Sequence, residues 1–327
     1  MKGTILSGFR PTGRAHIGHL VGALENWVRL QDDYTCYFEI ADWHSLTTGY
    51  ESTGEIQNNI LEMAADWLSA GLDPKKSAIF IQSEVKSHAE LHLLFSMITP
   101  VSWLERNPTL KEQIRDLNIS ENMNYGLLGY PVLQAADILC YKATAVPVGE
   151  DQLPHLELAR EIARRFNLLY GNVFPEPKSL ITQFPRVPGV DGKKMSKSMN
   201  NSIYIADTEE EIHRKVKTCI TDTAKVHKND PGHPDVCNVF QYHRIFNKNE
   251  TQSIRNQCET GSLGCVECKK KGAAMINEYL KDIRDKRNEL MKNADFIYDT
   301  LKDGSERAAA VANATLKEAN KAMNLIK

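Results

Sequence analysis

With 327 residues, the chain is long enough to bury roughly 75% of its unfolded surface and to build one large domain plus a smaller one. Its 42% hydrophobic and 25% charged content is that of an ordinary globular protein, which excludes fibrous, low-complexity and membrane-embedded classes. A formal net charge of −2 excludes a generally basic nucleic-acid coat and leaves room for a local basic patch.

The run Thr4 to Ser7 stops at Gly8 and reads as a short buried strand. It is too short for a signal-peptide core, and no stretch reaches membrane-spanning length, so the chain reads as cytoplasmic, with neither membrane nor DNA as a partner. Pro11 and Gly13 mark a turn, and from Ile17 the residues Leu20, Val21, Leu24, Trp27 and Val28 keep a helical rhythm. Tyr34 to Ala41 is a second strand. Ile56 to Leu68 is a helix that Gly71 is placed to end, Ser77 to Gln82 is a third strand, and His88 to Ile98 is again helical. Tyr130 to Tyr141 reads as a helix with Pro131 in its first turn, Val146 to Val148 as a fourth strand despite Pro147, and Leu153 to Phe166 as a helix. Alternating strands and helices predict an α/β, Rossmann-like parallel sheet with ligands at the carboxyl ends of its strands. After about residue 200 the strands disappear. Apolar stripes run from Ile276 to Leu301 and from Ala312 to Ile326, with Gly304 breaking them. The expected division is a catalytic domain over 1–200 and an all-helical domain over 201–327.

Two motifs carry the chemistry. His16-Ile17-Gly18-His19 lies where a strand-ending turn meets a helix, whose first N–H groups favour anions. Gly192-Lys193-Lys194-Met195-Ser196-Lys197-Ser198 places lysines within reach of a triphosphate, and Gly189 and Gly192 suit a loop that closes over it. Read alone, each motif is equally a surface feature, two histidines at a helix start or a solvated basic loop. In this order and this far apart, they point to attack of a carboxylate on the α-phosphate of ATP. Tyr130, Gln134 and Asp137 fall on one helical face and can present a phenol, an amide and a carboxylate to one pocket. Cys237, Cys258, Cys265 and Cys268 form C-x20-C-x6-C-x2-C, which suits zinc, an iron–sulfur cluster or four unligated thiols. Cys36, Cys140 and Cys219 sit in apolar or mixed segments and read as core. Seven cysteines in a reducing compartment do not make a disulfide framework.

The two motifs together resemble those of class I aminoacyl-tRNA synthetases. Ser7 to Gly13, Ala41-Asp42-Trp43-His44, Tyr130 to Asp137, Val146 to Gln152 and Ala322 to Leu325 narrow the likeness to the bacterial-type tryptophanyl-tRNA synthetase family, over nearly the whole chain. The resemblance implies a homodimer that activates L-tryptophan with MgATP to tryptophanyl-adenylate and transfers it to tRNA(Trp), with the helical domain reading the anticodon. It places Arg10, Pro11, Thr12, Gly18, His19, Gly149, Glu150, Asp151 and Val187 around ATP. It makes Lys194, Met195, Ser196, Lys197 and Ser198 the phosphate loop, and His16, His19, Lys194 and Lys197 the catalytic groups. Asp137 would accept the indole N–H. Tyr130 and Gln152 would surround the ammonium, with His44 and Gln134 lining the pocket. The four cysteines resemble the [4Fe–4S] site of a subset of the family, zinc being the alternative. The chain departs from many members at Gln134, where they have Met, and at His19, where they have Asn. Glutamine at 134 is usual in tyrosine enzymes, so tyrosyl-tRNA synthetase is the nearest rival. A non-catalytic RNA-binding or redox-sensing paralogue and a small-molecule nucleotidyltransferase are the others.

Overall fold

The computed structural model describes residues 1–117, 123–181, 187–197 and 199–326. Its sheet is parallel throughout, with strands β1 (Thr4–Phe9), β2 (Thr35–Ile40), β3 (Ser77–Ile81), β4 (Ala145–Val148) and β5 (Lys178–Ile181) in the order β3-β2-β1-β4-β5. The order reverses between β1 and β4, so the loops after these strands flank the crevice where such sheets bind ligands. The fifth strand was not expected. It spans only four residues, Lys-Ser-Leu-Ile, with exposed ends and no apolar run to announce it.

Alternation along the strands fixes the two faces. Ile5, Cys36, Phe38, Ile40 and Ile79 point into one core, while Leu6, Tyr37, Ala78 and Phe80 point into the other. In the first core, α1 (Ile17–His19) passes through a π turn at Leu20–Leu24 into α2 (Glu25–Leu30). After β2, α3 (Asp42–Gly49) leads to α4 (Ile56–Ser69), which shares this core with α2. Trp27 stacks between Phe9 and Phe38 and meets Trp67 edge-on.

In the second layer, α5 (Ser87–Ser96), α6 (Val101–Arg106) and α7 (Pro108–Leu117) precede α8 (Tyr125–Cys140) and α9 (Leu153–Tyr170). Here α8 starts earlier than expected. Asn124 caps it by accepting Leu127 N–H at 2.8 Å, so Pro131 stands inside the helix and not in its first turn.

Beyond the sheet, α10 (Glu209–Thr218), α11 (Asn238–Phe246), α12 (Thr251–Glu259) and α13 (Cys265–Lys292) form a helical layer. The last helix, α14 (Ala294–Ala322), runs straight through Gly304. The break that sequence periodicity assigned to Gly304 falls at Asn293, whose side chain caps α14. Gly304 instead lets α14 lie against edge strand β3, since a Cβ there would collide with the Ile79 carbonyl. The helix also satisfies the open edge: Ser305 Oγ accepts Ile81 N–H at 3.4 Å, and Arg307 donates to Ser77 O at 3.2 Å and Pro74 O at 2.7 Å. Gly304→Ala should therefore destabilise the protein by about 1–3 kcal/mol through overpacking against backbone, outweighing the roughly 1 kcal/mol that alanine gains in a helix. Chemical denaturation checks this, and an unchanged or raised midpoint would contradict it.

Candidate active site

Turn residues after β1 and the N-cap of α1 build the nucleotide end. His16 caps α1 by accepting His19 N–H on Nδ1 at 3.2 Å, and the two rings stack with centroids 3.7 Å apart. Burial, with Lys197 and Lys194 nearby, lowers His16 to about 4. Burial, then His16 and the same lysines, lowers His19 to about 3. Both imidazoles are therefore neutral near pH 7. The expectation of free N–H groups at the helix start holds only in part, because Ile17 N–H is taken by Ile203 O at 2.9 Å. A Cβ on Gly18 would press on the His16 ring and reach Val187, so Gly18 lets His16 and Val187 close around its backbone.

Lys197 crosses to this turn, donating to Thr12 Oγ1 at 3.1 Å and Gly13 O at 2.8 Å. Burial lowers it to about 8. Met195 is buried, Lys194 is exposed, and Ser198 lies outside the described residues. The glycines of this loop are committed rather than free. Gly192 has a φ of +80° in a turn closed by Gly192 N–H to Gly189 O at 3.0 Å, and Gly189 fits against Asn201. Asn201 was not singled out from sequence. Its amide donates to Asp191 Oδ1 at 2.8 Å and Lys194 O at 3.1 Å, and its Oδ1 accepts Ser196 N–H at 2.8 Å.

Gly149, Glu150, Asp151 and Gln152 form the turn after β4. Gly149 has no room for a Cβ beside Asp151 Oδ1, and Gln152 Nε2 donates to Asp151 Oδ2 at 3.1 Å. Arg10 is exposed at the end of β1, near enough to Tyr130 to bias its titration.

The amino-acid end centres on Asp137, which is 1% exposed. Its Oδ1 accepts from His88 Nδ1 at 2.6 Å and Gln82 Nε2 at 2.9 Å, and its Oδ2 accepts from His44 Nε2 at 2.7 Å. Burial alone would push the carboxyl up, but hydrogen bonds from His44 and His88 overcome it and hold it well below the usual range. An ionised carboxylate only accepts, so both facing ring nitrogens carry protons. His88 Nε2 is then free to accept from Tyr141 OH at 2.8 Å. Each carboxylate oxygen has two lone pairs. Both carboxylate oxygens thus carry imidazole donors, and the Glu39 carboxyl hydrogen-bonds the same group.

Beneath it, burial pushes the Glu39 carboxyl well up and Asp137 pushes it further, so Glu39 is neutral beside the charged Asp137. Glu39, His44 and Asp137 have ligand atoms within 4.8 Å of one another. Hydrogen bonds join this set, His44 Nε2 donating to Asp137 Oδ2 at 2.7 Å and Glu39 bonding the same carboxylate. His88, Gln82 and Glu39 were missed from sequence. The visible signal was a lone Glu inside the apolar strand Tyr37-Phe38-Glu39-Ile40.

Tyr130 OH meets His155 Nε2 at 2.8 Å, and His155 Nδ1 faces Asn107 Nδ2 at 3.3 Å. Asn107 Oδ1 accepts Thr109 and Leu110 N–H, which orients its amide so that Nδ1 of His155 accepts and Nε2 donates. The Tyr130 proton is thus left for a ligand, and burial keeps the phenol neutral, at about 12. Gln134 is half-buried on the same face. A cavity of about 310 Å³ between α3 and α8, lined by Trp43, Tyr50, His92 and Leu133 among others, shares only Tyr130 with the expected set.

Cys237 at the start of α11, Cys258 on α12, and Cys265 and Cys268 in the first turn of α13 line one small cavity with Asp222 and Lys225. Burial and then the other three sulfurs push the Cys268 thiol to about 12. A Cβ on Gly232 would strike Cys258 Sγ, so the glycine leaves room for that sulfur. Cys36, Cys140 and Cys219 are buried elsewhere.

Comparison with known proteins places this geometry. The family model for class I tRNA synthetases (W and Y) matches residues 2–281. The chain is 48% identical to a tryptophan–tRNA ligase of Thermotoga maritima, covering 98% of this chain and 99% of the relative. It is 46% identical to that of Aquifex aeolicus, with the same coverage. A crystal structure of tryptophanyl-tRNA synthetase from Campylobacter jejuni, complexed with ADP and tryptophan, superposes with a TM-score of 0.89 at 32% identity, over 98% of this chain and 99% of that one.

Proposed function

The chain belongs to the class I tRNA synthetases of the tryptophan and tyrosine type; it is a tryptophan–tRNA ligase, and we propose that Asp137 is its specificity element. The observation that supports this role is a buried carboxylate held charged by hydrogen bonds from His44 and His88, on the helical face that carries Tyr130 and Gln134. An indole offers one donor on an otherwise apolar body, and a charged acceptor favours it over a ring that has none.

In the first step a tryptophan carboxylate oxygen bonds to the α-phosphorus of ATP, bound as its magnesium complex. The bond to the β-phosphate oxygen breaks and pyrophosphate leaves. In the second, a 2′-hydroxyl of the terminal tRNA ribose attacks the acyl carbon and AMP leaves. No protein nucleophile is needed; positioning and preorganised charge carry the rate. Tyr130 and Gln152 hold the ammonium, with His44 and Gln134 at the pocket wall. Arg10, Pro11, Thr12, Gly18, Gly149, Glu150, Asp151 and Val187 hold ATP. His16 and His19, neutral, donate to phosphoryl oxygens, while Lys194 and Lys197, with Met195 and Ser196 of their loop, move with the leaving pyrophosphate. Charging of tRNA(Trp) with labelled tryptophan tests the reading; acylation of another tRNA in preference would overturn it.

We place the catalytic domain at about 1–200 and the anticodon-reading helices after it, with α14 returning to the sheet edge. The exposed Leu93, Met97, Val101 and Tyr125 are where we place a homodimer face. No helix among the described residues is long and apolar enough to cross a membrane, in keeping with a cytoplasmic enzyme.

The four cysteines fit a metal centre. Burial, then neighbouring sulfurs, raises the Cys258 and Cys268 thiols, and a bound cation is what would hold such groups as thiolates. Cys237, Cys258, Cys265 and Cys268 would hold a [4Fe–4S] cluster, with zinc the alternative. The centre would be structural, pinning Lys269–Lys271 for RNA phosphates. Anaerobically purified protein should be brown and contain iron and sulfide, and single Cys→Ser changes should lower tRNA charging more than pyrophosphate exchange. Colourless protein with stoichiometric zinc would replace the cluster, and four titratable thiols would remove the centre.

A further inference from the structure

The helix that carries two of the four cysteines also reaches the ATP motif. α13 begins at Cys265, and Arg287 lies 19 residues beyond Cys268, roughly 30 Å along a rod rising about 1.5 Å per residue. Arg287 is 5% exposed and Arg284 is 8% exposed.

Arg287 Nε donates to Asp66 Oδ1 at 2.5 Å, and its Nη2 pairs with Glu62. Asp66, fully buried on α4, uses its other oxygen to accept the N–H of Ala15 at 2.5 Å. Ala15 is the residue before His16. Glu62 also takes Arg14 Nε at 3.2 Å. Arg284 reaches the same motif from the other side, donating to Asp207 O at 3.3 Å. Asp207 Oδ2 accepts Tyr204 N–H at 2.8 Å. The segment around Tyr204 pairs with the motif through Ile17 N–H to Ile203 O at 2.9 Å and Ile205 N–H to Ala15 O at 3.0 Å. Two arginines one turn apart therefore grip both flanks of His16–His19. Neither is needed to hold α13 through apolar contact, since Ile276 and Leu280 already bury that helix. An apolar pair in place of buried charges would serve stability as well or better, so the charges call for a role in geometry.

We propose that Arg287, through Asp66, and Arg284, through Asp207, are positioning residues that set the His16–His19 backbone for ATP, so that one rigid helix joins the four-cysteine end to the nucleotide end. This rests on the reading of the tetrad as part of the ATP site. Two readouts test it together: the KM values for ATP and tryptophan in tryptophan-dependent pyrophosphate exchange, and amide hydrogen exchange at Ala15. Arg287→Met should raise the KM for ATP tenfold or more, keep that for tryptophan within twofold, and speed exchange at Ala15. Asp66→Asn, which keeps the shape and removes the charge, should act in the same direction and less strongly, and it serves if the methionine variant does not fold. The double variant should be little worse than Arg287→Met, because the pair acts as a unit. Leu280→Ala removes buried volume from the same helix and no charge, and supplies the control for general destabilisation. An ATP KM or an Ala15 amide in Arg287→Met that moves no more than in Leu280→Ala overturns the inference. Native protein with no tryptophan-dependent exchange overturns the functional reading instead, while Ala15 exchange still decides the positioning role.

Discussion

Asp137→Ala is expected to lower kcat/KM for tryptophan roughly 10- to 200-fold in pyrophosphate exchange, the equivalent of about 1.5–3 kcal/mol for a hydrogen bond to a charged group. The effect on phenylalanine, which offers no ring donor, should be small, so the variant loses selectivity as well as rate. The substitution also strips His44, His88 and Gln82 of their shared acceptor. Each buried donor left without a partner costs about 1–3 kcal/mol, so the melting temperature should fall too. Asp137→Asn is no repair, because an amide turns a donor toward one of the imidazole N–H groups. Steady-state exchange with both amino acids decides the matter. An unchanged tryptophan-to-phenylalanine preference would remove Asp137 from the role assigned to it.

Lys197→Ala should slow adenylate formation by roughly 100- to 1,000-fold, the scale of losing one preorganised donor to developing charge, with a change of only a few-fold in tryptophan binding. The ammonium rests on Thr12 and Gly13. Its lowered value of about 8 adds a pH test. The charged form does the work, so kcat/KM for ATP should fall as pH rises through about 8. Bound ATP supplies the missing counter-charge and raises the lysine again, so kcat should hold to higher pH. Single-turnover kinetics across pH would show this. A variant that loses only tryptophan affinity and activates it at the native rate would contradict the assignment.

The sequence made the alternation of strands and helices legible because each strand presents one apolar set to each face. It missed β5, where four residues carry no pattern. It misread Gly304 because a glycine in a helical stripe has two meanings, a stop or a close approach, and only the neighbouring backbone of β3 tells them apart. Pro131 was placed at a helix start for the same kind of reason: the start is set by Asn124, a cap with little signal of its own. In the site, the residues proposed to touch substrate are nameable from motifs. The residues that set those groups' charge, such as His88 and Gln82 against Asp137, or Arg287 against Asp66, are not. They lie 49, 55 and 221 positions from their partners, and no local spacing records such a pairing.

The central claim, that this site activates tryptophan, is tested most directly by amino-acid-dependent pyrophosphate–ATP exchange on the native protein, run with each proteinogenic amino acid in turn. Exchange should be strong with tryptophan and very weak with tyrosine and phenylalanine. Faster exchange with tyrosine, the rival that Gln134 suggests, would overturn the tryptophan assignment, and no exchange with any amino acid would overturn the activation chemistry itself.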